Sequence, residues 1–381
     1  MVAPNGYIIC CELPNSLYSC NNTLEKNNML KSLDIKNFTV FADASIEFSP
    51  GLNVIIGDNA TGKSHLLKLG YSVMHTLAKQ GKLINSKNTL ADKLYHVFKP
   101  NSLGRLNRNG SGRQRTQITI IMDLPDNRTE TLQFSFAKNS RTEVTINQTI
   151  TQALSNQAAV FIPSREVLTL HPEMTALYEE RFMTLDETHY DLCKALNLPL
   201  LRKLPSELND IIQPLEAELG GKIRMDKMGH FYLNIPKRGK VEMSLVAEGF
   251  RKIAMLVYLI QNGSLAKGST LFWDETEANL NARIMVKVAN ALAALAQYGI
   301  QVILATHDFF LMNELSLLIE STPKMPAQFL SCRPEKVGVA VEQGRLIEDL
   351  HTIVVLDEVL AQDDREQDFY YKRDTQELLS Q

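Results

Sequence analysis

Gly57-Asp58-Asn59-Ala60-Thr61-Gly62-Lys63-Ser64 is the stretch on which the reading of this chain turns. The apolar run Leu52-Asn53-Val54-Ile55-Ile56 precedes it, and a helical pattern follows from Lys63 to about Ala78. Strand, glycine-rich turn and helix are the context that the spacing G-x-x-x-x-G-K-S requires. The glycines let the backbone curl so that successive N–H groups point inward onto phosphate oxygens. The helix that begins at the loop adds its positive end. Lys63 is then the candidate for the β- and γ-phosphates and Ser64 the candidate Mg²⁺ ligand, with Gly57, Asp58, Asn59, Ala60, Thr61 and Gly62 wrapping the phosphates.

Two further apolar strands carry chemistry at their ends. Thr270-Leu271-Phe272-Trp273 runs into Asp274-Glu275. A buried strand delivers such acids to the carboxyl edge of a parallel sheet, where ligands bind. Asp274 is the candidate second ligand for Mg²⁺. Glu275 is the candidate that polarises an attacking water. Ile303-Leu304-Ala305-Thr306 ends in His307, placed to contact the γ-phosphate and that water.

In this order the residues resemble the ABC-type ATPase superfamily, and more narrowly its RecF- and OLD-like branch of AAA-type ABC ATPases. Ile35-Lys36-Asn37-Phe38 resembles the opening of that branch. Asp274-Glu275-Thr276-Glu277-Ala278-Asn279-Leu280 resembles its D-E-P-E-A-x-L string, with Thr276 in the proline position and Ala278 to Leu280 as the D-loop. Val246-Ala247-Glu248-Gly249-Phe250-Arg251-Lys252 resembles the S-x-G signature, and Phe161 to Glu166 stands at the Q-loop position. The resemblance covers about residues 29–355. It implies an α/β P-loop NTPase fold of ABC-ATPase type: a parallel-sheet core with an antiparallel β subdomain and a helical insertion. It also implies ATP and Mg²⁺ as cofactors, catalysis by Glu275, His307 and Lys63, and a homodimer with ATP sandwiched head-to-tail. In that dimer Glu248 and Gly249 of one copy close over the phosphates held by the other. Two departures stand out: Ala247 stands in the position of the signature serine, and no glutamine within Phe161 to Glu166 can be assigned to the Q-loop. Both point to slow or partner-dependent hydrolysis.

The rest of the chain divides around these motifs. Residues 1–28 lack periodicity and read as a poorly ordered extension, with Met29 as the natural start. A first lobe spans 29–165, with strands around Leu33–Ile35, Ala44–Phe48, Gln117–Met122, Thr131–Phe136 and Glu143–Ile146. Residues 166–245 read as an insertion, helical to Leu219 and then stranded. A second lobe spans 246–355, with helices from about Phe250 and from Asn281 to Gln297. About seventy residues follow His307 and read as a last strand and helix, then an acidic tail over 356–381.

Charge is distributed unevenly. The net charge is −3, which excludes a chain that is basic throughout. Between Lys79 and Arg115, however, nine basic residues face one acid, Asp92. This run reads as a solvated insertion or as a surface for nucleic-acid phosphates. A 44% apolar and 22% charged composition suits a globular domain rather than a disordered chain. No run approaches the roughly 18 apolar residues of a membrane span, and five scattered cysteines form no disulfide framework or metal motif. A cytoplasmic setting without a membrane is expected.

Sustained heptads are absent, which argues against a chromosome-structuring arm. The motif set then reads as an ATPase without its own effector. By family analogy it resembles the ATPase subunits of Septu, retron and PARIS anti-phage systems, which work with a separate nuclease or a retron reverse transcriptase and its non-coding RNA. A RecF-like repair factor and a nucleotide-gated scaffold are the alternatives.

Overall fold

Leu52–Gly57 forms β3, buried along its whole length. A strand covered on both faces reads as a continuous apolar run rather than an alternating one. The same holds for β7 (Ala159–Ile162), β11 (Thr270–Asp274) and β12 (Gln301–Ala305). With β13 (Ala327–Glu335) and the antiparallel edge strand β14 (Gly338–Gly344) they make a six-stranded sheet in the order β14-β13-β3-β12-β11-β7. The other five strands run parallel. The computed structural model describes residues 29–80, 87–110, 112–124, 128–150, 159–179 and 185–379. The extension expected over 1–28 lies outside them.

Alternation along the strands divides the interior into two cores. Val54, Trp273 and Leu304 face one; Ile55, Phe272 and Ile303 face the other. The second core is closed by the antiparallel sheet β2-β1-β4-β5-β6. Its strands are β1 (Met29–Phe38), β2 (Phe41–Glu47), β4 (Thr116–Asp123), β5 (Thr129–Phe136) and β6 (Thr145–Gln148). The helix α1 (Lys63–Gln80) contributes Leu66, Leu67, Leu69 and Tyr71 to the same core. Each such fully buried side chain is worth about 1.5–3 kcal/mol relative to exposure.

The first core is covered by α4 (Glu187–Leu196), α5 (Ser206–Leu219), α6 (Glu248–Gln261), α7 (Ala282–Tyr298) and α8 (Phe309–Ser321). Before α4 comes α3 (His171–Glu179), and between α5 and α6 lies a small sheet of β8 (Lys222–Met225), β9 (Phe231–Ile235) and β10 (Gly239–Glu242).

Three segments gain a definite structure. The basic run is not simply a solvated insertion. It contains α2 (Lys87–Phe98), whose Leu90, Ala91, Leu94 and Val97 are fully buried in the second core. The region after His307 begins with α8 and then supplies two strands, not one. Of these, β13 inserts beside β3. The acidic tail, whose secondary structure the sequence left open, forms the 26-residue helix α9 (Val354–Leu379). Its start is anchored by Val355 and Leu356 against the first core.

Candidate functional site

The register of the parallel sheet brings the strand ends to one edge. Asp274 pairs with Ala305, Ala305 with Ile55, Ile162 with Trp273, and Gly57 with Cys332. The connections that leave this edge are therefore 57–63, 163–170, 275–281 and 306–308, and the motif residues lie on them.

The first of these loops is shaped by backbone conformations that favour glycine. Gly57 has φ 141° and Gly62 φ 88°, and non-glycine Ala60 is also left-handed at 63°. A Cβ on Gly57 would stand 2.3 Å from the Cys332 carbonyl, and one on Gly62 2.6 Å from Val40 Cγ2. Thr61 Oγ1 donates to the Asp58 carbonyl at 2.8 Å and stiffens the turn. The Lys63 ammonium folds over the loop, donating to the Gly57 and Asp58 carbonyls at 2.7 and 2.8 Å. Burial pulls its pKa below the usual lysine range, against the opposing pull of nearby Asp274, Glu277 and Asp58. Cys332 beside it is pushed up to about 12 by burial, so it stays a neutral thiol at physiological pH and lends Lys63 no counter-charge.

Ser64 and Asp274, 210 residues apart, meet directly: the serine hydroxyl donates to Asp274 Oδ1 at 3.0 Å. Burial raises the Asp274 pKa, opposed by that hydroxyl and by Lys68 and Lys63. A hydroxyl and a carboxylate oxygen at the mouth of an anion-binding loop form a hard-oxygen pair suited to Mg²⁺, which keeps its remaining ligands as water and phosphate.

The loop 275–281 carries strain where the chemistry is expected. Glu275 is exposed, with a left-handed φ of 48°, and Asn279 has φ 64°. Glu277, quoted above within the string but given no role there, turns out to orient His307. Its Oε1 accepts from the His307 backbone N–H at 3.0 Å and pairs with Nδ1 at 2.9 Å. A backbone clamp plus a ring contact fixes the imidazole while leaving its side chain 51% exposed at the edge.

A search for solved structures of like fold finds the "SmcHead bound to the C-winged helix domain of ScpA". It superposes with TM-score 0.55 at 14% identity over 84% of this chain and 98% of that one. The "Smc head domain with an extended coiled coil bound to the C-terminal domain of ScpA derived from Pyrococcus furiosus" gives 0.52 at 12%, covering 87% and 99%. The chain has the fold of an ABC-type P-loop ATPase. Family profiles agree in parts: residues 29–103 match "AAA ATPase domain", and residues 145–313 match "AAA domain, putative AbiEii toxin, Type IV TA system". Among curated proteins, the "DNA replication and repair protein RecF" of Streptococcus uberis is 39% identical over 82 residues, 21% of this chain and 20% of that protein. The RecF of Pediococcus pentosaceus is 48% identical over 42 residues, 11% of each. The likeness therefore spans about a fifth or less of these relatives' length.

Within this ABC-type fold, the segments at the signature and Q-loop positions are joined. Glu166 Oε1 accepts from Arg251 at 2.5 Å and Oε2 from the Thr169 backbone N–H at 3.3 Å. Glu166 thus holds α6 against the segment that follows β7. Gly249 is buried, and a Cβ there would stand 2.3 Å from the Asn279 carbonyl oxygen. Ala247, exposed, caps α6 without a side-chain hydrogen bond, and Glu248 is half-buried. Among the described residues no hydrogen bond or ion pair ties Glu248 or Gly249 to the 57–64 loop of the same chain.

One turn beyond Ser64, Lys68 reaches Asp186 Oδ2 at 2.6 Å. Asp186 caps the N-terminus of α4 by accepting from the Thr188 backbone N–H at 3.0 Å. Its burial would raise its pKa, but hydrogen bonds from His189, Lys68 and Thr188 outweigh that and hold it well below the usual carboxylate range. Sequence spacing offered no signal for this tie between α1 and α4, because its partners lie 118 residues apart.

One member of the basic run, Lys93, is committed inside the molecule, while Lys99, Arg105, Arg113 and Arg115 are exposed. Lys93 is buried in ion pairs with Asp191 and, at 3.2 Å, Glu187. Arg115 donates to Ser135 and Thr145. No helix among the described residues is long and apolar enough to cross a membrane.

Proposed function

We propose that the chain binds ATP with Mg²⁺ between two copies of itself and hydrolyses it to control a separate effector. The Ser64–Asp274 pair, next in the loop to the folded-over Lys63, carries this reading. A desolvated ammonium and a buried carboxylate at a strand edge cost stability, and a metal–polyphosphate ligand offsets both charges.

The residues would act as follows. The loop N–H groups from Gly57 to Ser64 and the Lys63 ammonium bind the phosphates. Ser64 and Asp274 hold the metal, which when bound neutralises charge on the β- and γ-phosphate oxygens. Glu275 orients the attacking water and accepts its proton, and His307, held by Glu277, contacts the γ-phosphate. The uncapped first N–H groups of α6, beside Glu248 and Gly249, supply an anion site that a partner copy's phosphates complete. With Ala247 in the signature-serine position one hydroxyl donor is missing, which supports slow turnover.

For the effector, the likeness of residues 145–313 to a family described with a toxin–antitoxin system favours a defence role. The partner would be a nuclease or a retron reverse transcriptase with its RNA. A RecF-like repair role is the second reading, favoured by the partial RecF likeness and the exposed Arg105 and Arg113. The test is Mg²⁺-dependent release of phosphate from ATP by the wild type and by Glu275→Gln, with the oligomeric state followed by light scattering. Glu275→Gln is expected to keep ATP, lose turnover and accumulate as a dimer. Turnover at the wild-type rate would reject Glu275 as the water-activating group. Capture of the trapped dimer with its bound proteins and nucleic acids then separates the two readings: a nuclease or reverse transcriptase supports defence, heterogeneous DNA alone supports repair.

A further inference from the structure

Lys252 lies about one turn into α6 and is fully buried, although lysine ammonium groups are rarely taken out of water without a strong partner. Its Nζ donates to the Glu275 main-chain oxygen at 3.2 Å. Burial pulls its pKa down, while the carboxylates of Glu277, Glu248, Glu275 and Asp274 pull the other way. The carbonyl it holds belongs to the residue with left-handed φ 48°. Non-glycine residues visit that region rarely, and stay there only when the surroundings over-determine it.

A second contact reaches the same loop from the same helix. Gly249 packs against the Asn279 carbonyl so closely that a Cβ would stand 2.3 Å from it. The first turns of α6 therefore grip the 275–280 loop near both ends, while β11 behind it is fixed in the sheet.

We infer that Lys252 is a positioning residue that sets the direction of the Glu275 side chain and passes movement of the α6 N-terminus to it. The inference rests on the proposed role of Glu275. It supplies a route by which engagement of that N-terminus by a partner copy's phosphates would align the water-activating group. Fixing the Glu275 carbonyl fixes the peptide plane after Cα, and with it where the carboxylate projects. A packing role alone would be better filled by an apolar side chain of the same length, which carries no cost of taking an ammonium out of water.

The test compares Lys252→Met, Glu275→Gln and the double variant with the wild type, by melting temperature, affinity for a fluorescent ATP analogue, and kcat. Lys252→Met is expected to melt at or above the wild-type temperature and to bind the analogue within about twofold of wild type. Its kcat should fall by about tenfold or more, the scale of a sub-ångström to 1 Å misplacement of a reacting group. In the Glu275→Gln background the same change should cost nothing further. A wild-type kcat in Lys252→Met, losses that multiply in the double variant, or a clearly lowered melting temperature would each overturn the inference. Wild-type turnover by Glu275→Gln alone would instead overturn the role of Glu275 on which it rests.

Discussion

Gly249→Ala puts one methyl group where α6 meets the 275–280 loop, and the structure sets what that costs. The new Cβ would lie 2.3 Å from the Asn279 carbonyl oxygen and 3.2 Å from Leu280 Cδ2. An unstrained carbon–oxygen contact needs roughly 1 Å more, and the closer obstacle is main chain, so it cannot rotate aside. Asn279 is itself left-handed at φ 64°, which narrows the ways the loop can retreat. Overpacking of this kind costs about 1–3 kcal/mol. The nucleotide-free protein should therefore lose that much in urea unfolding, with its m-value unchanged. Moving the loop by about 1 Å should also lower ATP turnover by about 100-fold, because Glu275 is carried on it. Both effects arise inside one copy. If Gly249 serves only to admit a partner's phosphate, nucleotide-free Gly249→Ala would unfold at the wild-type urea concentration. That result would refute the intramolecular reasoning.

Other changes give equally direct outcomes. Lys63→Ala removes the charged donor above the loop and should weaken ATP binding by about 100-fold or more, read by titration calorimetry. Asp274→Asn should stabilise the protein in the absence of Mg²⁺ and nucleotide. The folded-state pKa of Asp274 is raised by burial, so its ionised form costs stability as pH rises through that value. Melting temperatures should then separate in favour of the amide variant at neutral pH and converge as pH falls through the raised pKa toward the ordinary carboxylate range; a gap that widens in acid would reject this. Lys93→Met should cost about 3 kcal/mol in urea unfolding, because it strips the cation from the buried carboxylates of Asp191 and Glu187. Its affinity for DNA at fixed salt should not change, whereas a salt-sensitive loss would place Lys93 at a nucleic-acid surface.

Sequence by itself determined the parts of this protein that lie within one short window. The loop 57–64 is legible because Gly57, Gly62, Lys63 and Ser64 stand at the motif's fixed spacing between a strand and a helix. Asp274, Glu275 and His307 are legible because apolar runs that end in polar residues mark strands delivering side chains to a sheet edge. Only the tertiary structure decided what depends on which faces meet. Ala327–Glu335 is too polar toward its end to read as an interior strand, yet it pairs with β3 because both its neighbours supply the missing hydrogen bonds. Within the basic run, Lys93 counts as surface charge until Asp191, 98 residues on, is packed against it. Glu277 gains its hold on His307, and Lys252 its hold on the Glu275 carbonyl, across 30 and 23 residues. Local spacing is enforced by the backbone's own period, but pairing between distant segments is chosen by how buried faces fit and how each buried charge finds its partner.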